Sequence, residues 1–338
     1  MSDKSSDQIT PIVAEGIDEE PVVGNARQFN GKILIVASIL SAFYAAFHMA
    51  ALNGLSIRDW TGVNIPFLPR FPMETWNFRI VHVAGALVLG FMLFASARFS
   101  DADNDIRPNP LVRGLSWLLL LPALFAVGAA AWFGTLIEGG VMWNGMDATL
   151  KFREIYVFGI PLMVATVGAI GLSWVERLPR HAFSVTDLVL GICGIAVATY
   201  LIVMFGTLMR NSTGTPFAPI GISIAALAGT LLILELTRRV AGLALVIISV
   251  VFLIYVFTGQ YLPGFLNAPA ISWQRFFSQV YTDAGILGPT TAVSSTYIIL
   301  FIIFAAFLSA SKVGDYFVNF AFATAGRARG GPAKVSIF

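Results

Sequence analysis

Long apolar runs separated by short polar segments dominate the pattern of this chain. They fall at residues 33–55, 79–99, 115–137, 155–174, 186–208, 217–237, 240–258 and 292–311. A helix needs about 20 apolar residues to cross the hydrocarbon layer, because backbone polar groups facing lipid must be paired within the helix. The pattern therefore predicts an all-α, polytopic membrane protein with eight spanning helices. Only "TRRVAG" separates the sixth run from the seventh.

Two further segments have an amphipathic pattern. In the stretch 259–291, apolar residues recur at three- and four-residue spacing: Trp273, Phe276, Phe277 and Val280. This spacing predicts either an interfacial amphipathic helix or a re-entrant piece packed on protein. The segment 313–326 predicts a second helix at the membrane surface, and the tryptophan-containing loop 56–78 is expected at the lipid headgroups.

Composition agrees with a membrane location and excludes several functions. Hydrophobic residues make up 57% of the chain and charged residues 12%, whereas soluble domains carry about 25% charged residues. The net charge of +2 gives no indication of a nucleic-acid partner. The single cysteine, Cys193, excludes an intramolecular disulfide. Residues 1–30 are polar and predict a flexible cytoplasmic tail, in which Asp18, Glu19 and Glu20 form a solvated acidic run.

The distribution of basic residues predicts the orientation. If the N-terminus is cytoplasmic, the cytoplasmic segments hold fourteen of the 21 Lys and Arg residues, the excess that the positive-inside rule describes. Both ends of the chain are then expected in the cytoplasm. Arg327, Arg329 and Lys334 are predicted to form a cytoplasmic anchor near the C-terminal end.

Few ionisable residues lie in the apolar runs. His48 and His82 can in principle be axial haem ligands on facing helices, but the only other histidine, His181, falls in a loop, and a two-haem bundle needs four ligands. Histidines that serve helix packing are the alternative, and the position of His82 close to Arg79 indicates an interface residue. Glu138, at the outer end of its span, is expected to be hydrated, with a proton-relay role as the alternative.

The stretch "LELTRRVAG" carries a local charge pattern. Glu235 is placed three and four residues before Arg238 and Arg239, so the carboxylate and both guanidinium groups can pair on one helical face. The cluster is interpreted either as a cytoplasmic anchor that fixes topology or as an ion pair that docks two subregions of a larger permease. No nucleotide-binding, zinc or nucleophile motif accompanies it, which argues against an enzyme and against ATP-driven transport.

From about residue 184 onward, ordered motifs resemble a known family. The motifs "E-x-T-R-R" before a long apolar helix, "Y-L-P-G", and "G-R-x-R-G-G-P-A-K-V" are similar to those of the fused permeases of TRAP (tripartite ATP-independent periplasmic) transporters, TAXI-type branch. "FRIVHVAGALVLGFMLF" resembles the small-subunit-like region of these permeases more loosely. The resemblance implies a tail at 1–30, a small-permease-like region of about six helices at 31–236, and the start of the large permease region at 237–338.

The resemblance also implies a function. These permeases are secondary transporters of the bacterial inner membrane. They take up small organic acids that a periplasmic binding protein delivers, with a cation gradient, usually sodium, and without an ATPase subunit or a cofactor. The first binding hairpin of the family follows the "GGPAKV" motif, so the ion and substrate sites are expected beyond Phe338 and the chain is interpreted as a fragment that is inactive alone. A membrane redox subunit and a non-transporting scaffold are the alternative functions.

Overall fold

The computed structural model describes residues 24–54, 73–99 and 109–325. Within these ranges the protein is all-α, and eight helices are long and apolar enough to cross a membrane, as predicted. The spans are α1 Gly31–Leu52, α2 Thr75–Leu93, α3 Pro110–Glu138, α4 Ala148–Val175, α5 Val185–Phe205, α6 Ile220–Val240, α7 Leu243–Tyr261 and α9 Pro289–Ala310. Two shorter helices complete the set, α8 Trp273–Val280 and α10 Val313–Ala325.

The third and fourth spans begin before their apolar runs. Asn109 accepts a hydrogen bond from the Leu111 amide (3.0 Å) and caps α3 directly before Pro110. Asp147 caps α4 in the same way through the Thr149 amide (2.7 Å). The first turns of α4 contain charged residues, so hydropathy alone places the start of this helix too late.

Helix α5 lies at the centre of the bundle. It packs against α2, α3, α4 and α6, and its small residues Gly191 and Gly194 face α2. By contrast, α7 has no buried residue in Leu243–Thr258, and Ser295 is the one buried residue of α9. The well-packed core therefore consists of α2 to α6, with α1, α7 and α9 at the periphery.

Successive spans run in opposite directions, so their ends gather on two faces. We call the face that contains residues 24–30 the first face. It holds the starts of α1, α3, α5 and α7 and the ends of α2, α4, α6 and α9, as the hydrogen bonds Arg27 N to Leu93 O and Gln28 N to Arg180 O show for the N-terminal segment. Arg327, Arg329 and Lys334 lie outside the described residues, as does most of the loop 56–78.

The N-terminal segment is packed before α1 begins. Asn25 is buried and its Nδ2 donates to Ala95 O (3.1 Å) and to Arg239 O (2.8 Å). Phe29 is buried in a small cluster with Ala37 and Met92. The packed part of the chain therefore starts at least six residues earlier than the predicted boundary at residue 31.

The predicted amphipathic segments are both helical. Helix α8 is packed on protein: Ser223 Oγ of α6 donates to Gln274 O (2.8 Å), and Phe277 is buried beside Phe257 of α7. These contacts agree with a piece packed on protein, and whether the helix lies at the interface or re-enters the membrane stays a prediction. Helix α10 is exposed over most of its length.

Candidate functional site

The ionisable residues predicted from "LELTRRVAG" meet at the first-face end of α6. Glu235 accepts hydrogen bonds from Arg238 Nη2 at 2.9 Å and from Arg239 Nε at 2.8 Å. The carboxylate and the Arg239 guanidinium are both buried. The helical spacing therefore brings the three side chains together, and they pair in the way that the sequence predicted.

A second carboxylate, Asp187 in the first turn of α5, joins this group. Its Oδ1 accepts from Arg239 Nη1 at 2.7 Å, and its Oδ2 binds Arg27 of the N-terminal segment. The side chains of Asp187, Arg27 and Arg239 are each at most 3% exposed. We call the five residues Arg27, Asp187, Glu235, Arg238 and Arg239 the arginine cluster.

Neutral groups from α2 and α4 complete the arginine cluster. Trp174 Nε1 at the end of α4 donates to Glu235 Oε2 (3.0 Å), and its ring lies under the Arg238 guanidinium, 5.6 Å from the centroid. Arg238 Nη2 donates to Ser96 Oγ (2.6 Å) just after α2. The cluster thus ties together the N-terminal segment and the first-face ends of α2, α4, α5 and α6.

The arginine cluster is not electrically neutral. Three guanidinium groups face two carboxylates, which leaves one positive charge in excess. Buried charges are costly when unpaired, so each arginine also donates to backbone or hydroxyl oxygens. Two guanidinium nitrogens, Arg27 Nε and Arg239 Nη2, are nevertheless buried without a hydrogen-bond partner among the described residues.

His48 and His82 form a second polar group, within the membrane-spanning part of the bundle. His48 Nε2 lies 2.9 Å from His82 Nδ1. The other nitrogens are also engaged: His48 Nδ1 with Tyr44 O at 2.8 Å and His82 Nε2 with Ser294 Oγ at 3.1 Å. All four imidazole nitrogens are therefore within hydrogen-bond distance of a partner.

A glycine explains how α1 and α2 bring the two histidines together. A Cβ at Gly85 would lie 2.6 Å from Cδ2 of Tyr44, so only glycine lets this ring settle against α2. Tyr44 lies one turn before His48 on α1, and its hydroxyl donates to His82 O (2.9 Å). His82 is buried by this packing, and its position at the membrane interface beside Arg79 stays a prediction.

The geometry of the histidines does not fit haem ligation. An axial haem ligand needs a nitrogen lone pair free for iron, and two axial ligands need the iron between them. The direct contact between His48 and His82 leaves no space for a metal between the imidazoles, and their remaining nitrogens face Tyr44 and Ser294. The structure supports the alternative, histidines that serve helix packing.

A third polar group surrounds Glu154, which the sequence did not single out. This carboxylate is 1% exposed and lies in a π-helical turn of α4, Arg153–Gly159. It accepts from Tyr200 Oη (2.6 Å), Trp143 Nε1 (2.8 Å) and Gly221 N (3.2 Å). It therefore fastens α4 to α5 and to the start of α6. Glu138, by contrast, is exposed at the end of α3, as expected.

On the face opposite the first face, two contacts connect α2 with the segment around the start of α9. Arg79 Nη1 donates to Leu287 O (2.6 Å), and His82 Nε2 meets Ser294 Oγ in the π-helical turn Ser294–Ile298. Between α2, α6 and α9 lies a largely apolar cavity of about 440 Å³, with hydroxyl groups from Thr290, Thr291 and Ser294 in its lining.

Residues 228–338 match a family model, described as "Tripartite ATP-independent periplasmic transporter, DctM component". The match covers the C-terminal third of the chain and begins within α6. Members of that family are transporters and not enzymes. No curated protein and no solved structure matches this chain.

The match divides the polar groups between two parts of the chain. In the arginine cluster, Glu235, Arg238 and Arg239 belong to the matched part, whereas Arg27 and Asp187 precede it. The contacts of Arg79 with Leu287 and of His82 with Ser294 cross the same division. The helices that precede the match are therefore joined to the matched helices on both faces of the bundle.

Sequence reasoning found the local half of the site and missed the distant half. Glu235, Arg238 and Arg239 are neighbours on one helical turn, and their spacing made them visible. Asp187 and Arg27 come from distant positions, and only the presence of an acidic residue in the first turn of an apolar span marks Asp187. Glu154 was likewise visible only as a charge close to an apolar run.

Proposed function

We propose that this chain is a permease component of a TRAP-type secondary transporter. The observation that carries the proposal is the DctM family match over residues 228–338, on a chain with eight candidate membrane spans. In this function the protein takes up small organic acids that a periplasmic binding protein delivers. A cation gradient, sodium by resemblance, drives uptake without an ATPase subunit or a cofactor.

The contacts between the two parts of the chain support a division of labour. Helices α1 to α5 precede the match, and the arginine cluster fixes the end of α6 to them through the buried ion pair of Arg239 with Asp187 and through hydrogen bonds with Ser96 and Trp174. We infer that these helices brace the matched part in the bilayer. The boundary between the regions at residue 236 and the location of ion and substrate sites beyond Phe338 stay predictions.

The transport function is tested by uptake in cells. Cells with and without the gene are given a panel of labelled mono- and dicarboxylic acids, in buffers that contain either sodium or choline. We expect deletion to abolish the sodium-dependent uptake of at least one acid and the intact gene to restore it. Uptake of an amino acid through an unrelated system is the control. Unchanged uptake of every acid in the panel after deletion would show that the proposal is wrong.

The proposed location is the inner membrane with the N-terminus in the cytoplasm, which places the first face inside. The only native cysteine, Cys193, is fully buried, so introduced cysteines report accessibility cleanly. Arg113→Cys lies at the start of α3 on the first face, and Met142→Cys lies beyond the end of α3 on the opposite face. We expect a membrane-impermeant maleimide to label Met142→Cys in intact spheroplasts and Arg113→Cys only after permeabilisation. The reverse pattern would invert the orientation.

A further inference from the structure

A basic cavity opens beside the arginine cluster on the first face. Its volume is about 380 Å³, and it lies between the N-terminal segment, the end of α2 and the connection from α6 to α7. Among the described residues, three arginines and no acidic residue line it; the lining side chains that matter are Ser96, Arg98, Arg238 and Leu243. The cavity is therefore positively charged on its inner wall.

The carboxylates nearby neutralise these arginines only in part. Asp187 and Glu235 lie behind the cavity wall and are shared among the three arginines of the cluster. Arg98 adds a further charge at the exposed rim and makes no ion pair among the described residues. The Arg239 side chain has no exposed surface, so it adds positive charge behind the cavity wall without contacting a bound anion. An anion in the cavity would face this surplus of positive charge.

Backbone geometry adds to the attraction for an anion. Helix α7 begins at the cavity, and its capping position is Gly242, with φ of +89° and no side chain to satisfy the first amides. The unpaired N–H groups of a helix N-terminus favour negatively charged ligands. The opposing carbonyl end of α6 is partly satisfied, because Asn25 Nδ2 donates to Arg239 O.

We propose that this cavity binds the phosphate group of an anionic phospholipid. Basic pockets between membrane helices on the cytoplasmic side suit such headgroups. The lipid source is favoured over free phosphate because apolar side chains at the mouth, Val240 (51% exposed) and Leu243 (59%), continue onto the unpacked surface of α7. Acyl chains can lie along that surface while the phosphate contacts Arg98 at the rim and the exposed part of Arg238. The inference does not rest on the transport function.

Native mass spectrometry and thermal melting of the purified full chain test the proposal. The probes are phosphatidylglycerol, phosphatidylcholine and inorganic phosphate. We expect the protein to retain phosphatidylglycerol in preference to phosphatidylcholine and to melt at a higher temperature with it. Equal retention of the two lipids would overturn the proposal. Equal protection by millimolar inorganic phosphate would assign the site to a free anion and overturn the lipid source.

Arg98→Gln is the variant that tests the site, because Arg98 has no ion pair whose loss would disturb folding. Arg113→Gln is the matched control, an exposed arginine on the same face that does not line the cavity. We expect Arg98→Gln to weaken phosphatidylglycerol binding about fivefold relative to the control, the effect of one basic residue near a membrane surface. Equal binding by the two variants would contradict the proposal.

A further variant separates lipid from the chain's own acidic residues. Asp18, Glu19 and Glu20 precede Gly24, which lines the cavity, by only a few residues. The triple variant D18N, E19Q, E20Q is expected to retain phosphatidylglycerol as the unaltered protein does. If only the triple variant retained phosphatidylglycerol selectively, the acidic segment would be the occupant of the cavity in the unaltered protein. That result would overturn the proposal.

Discussion

Replacing Asp187 by asparagine removes the carboxylate that two buried arginines share. The substitution keeps the shape of the side chain but leaves Arg27 without a carboxylate partner among the described residues and leaves Arg239 with Glu235 alone. The asparagine amide can offer its oxygen to one guanidinium group only. Its NH₂ group then faces the other guanidinium as a second donor.

The magnitude follows from the burial of these side chains. Removing one partner of a buried ion pair leaves an uncompensated charge and costs about 3–5 kcal/mol. Backbone carbonyls of Phe91 and Met92 still accept from Arg27, which keeps the loss within this range. For a protein of this size, such a loss lowers the melting temperature by on the order of 10 °C.

The assay is thermal unfolding of the detergent-solubilised protein, followed by intrinsic tryptophan fluorescence. Glu74→Gln is the matched control, because Glu74 pairs with Arg210 at 2.8 Å in a setting where the two side chains are 51% and 35% exposed. Exposed pairs contribute about 0–1 kcal/mol, so this variant is expected to melt close to the unaltered protein. If the two variants melt within about 2 °C of each other, the arginine cluster does not stabilise the bundle as argued.

Three further substitutions test the packing and the polar contacts, each by the same melting assay. Gly221→Ala would place a Cβ 2.5 Å from Cζ of Tyr200 and is expected to destabilise by about 1–3 kcal/mol, whereas Gly128→Ala meets no atom within 4 Å and is expected to be neutral or stabilising. Equal effects would contradict the close approach of α5 and α6. Ser294→Ala removes the partner of a buried imidazole nitrogen, with an expected loss of about 1 kcal/mol; no loss would show that the contact is not formed. Burial raises the pKa of the Tyr281 phenol, whose hydroxyl has no partner among the described residues, so Tyr281→Phe is expected to preserve or raise stability, and a clear loss would reveal a partner.

The sequence predicted the number of spanning helices because each helix must pair its own backbone in lipid, which makes hydropathy a local signal. Hydropathy did not predict the starts of α3 and α4, because a helix can extend into the interface with polar residues once a side chain caps it. Asn109 and Asp147 are such caps. The separation of α6 from α7 was predicted correctly at "TRRVAG", where Gly242 takes a positive φ that interrupts the helix.

The partners of charged residues were predictable only within one helix. Glu235 and Arg239 are four residues apart, so their pairing follows from the geometry of a single turn. Arg27 and Asp187 are brought together by the order in which α2, α5 and α6 pack, and no local pattern encodes that order. The same limit applies to His48, whose contact with His82 depends on the space that Gly85 leaves for Tyr44.

The chemistry of the contacts differs between the two faces, and this difference bears on how the matched helices are held. On the first face, α6 is fixed to α5 by the buried ion pair of Arg239 with Asp187, whose separation would remove a charged partner from each of these side chains. On the opposite face, the start of α9 and the segment before it are held to α2 by two hydrogen bonds, His82 with Ser294 and Arg79 with the Leu287 carbonyl, and by little buried surface. Breaking single hydrogen bonds of this kind costs less than separating a buried ion pair. Displacement of the matched part relative to α1–α5 is therefore expected to begin at α9, while the end of α6 remains attached to the preceding helices.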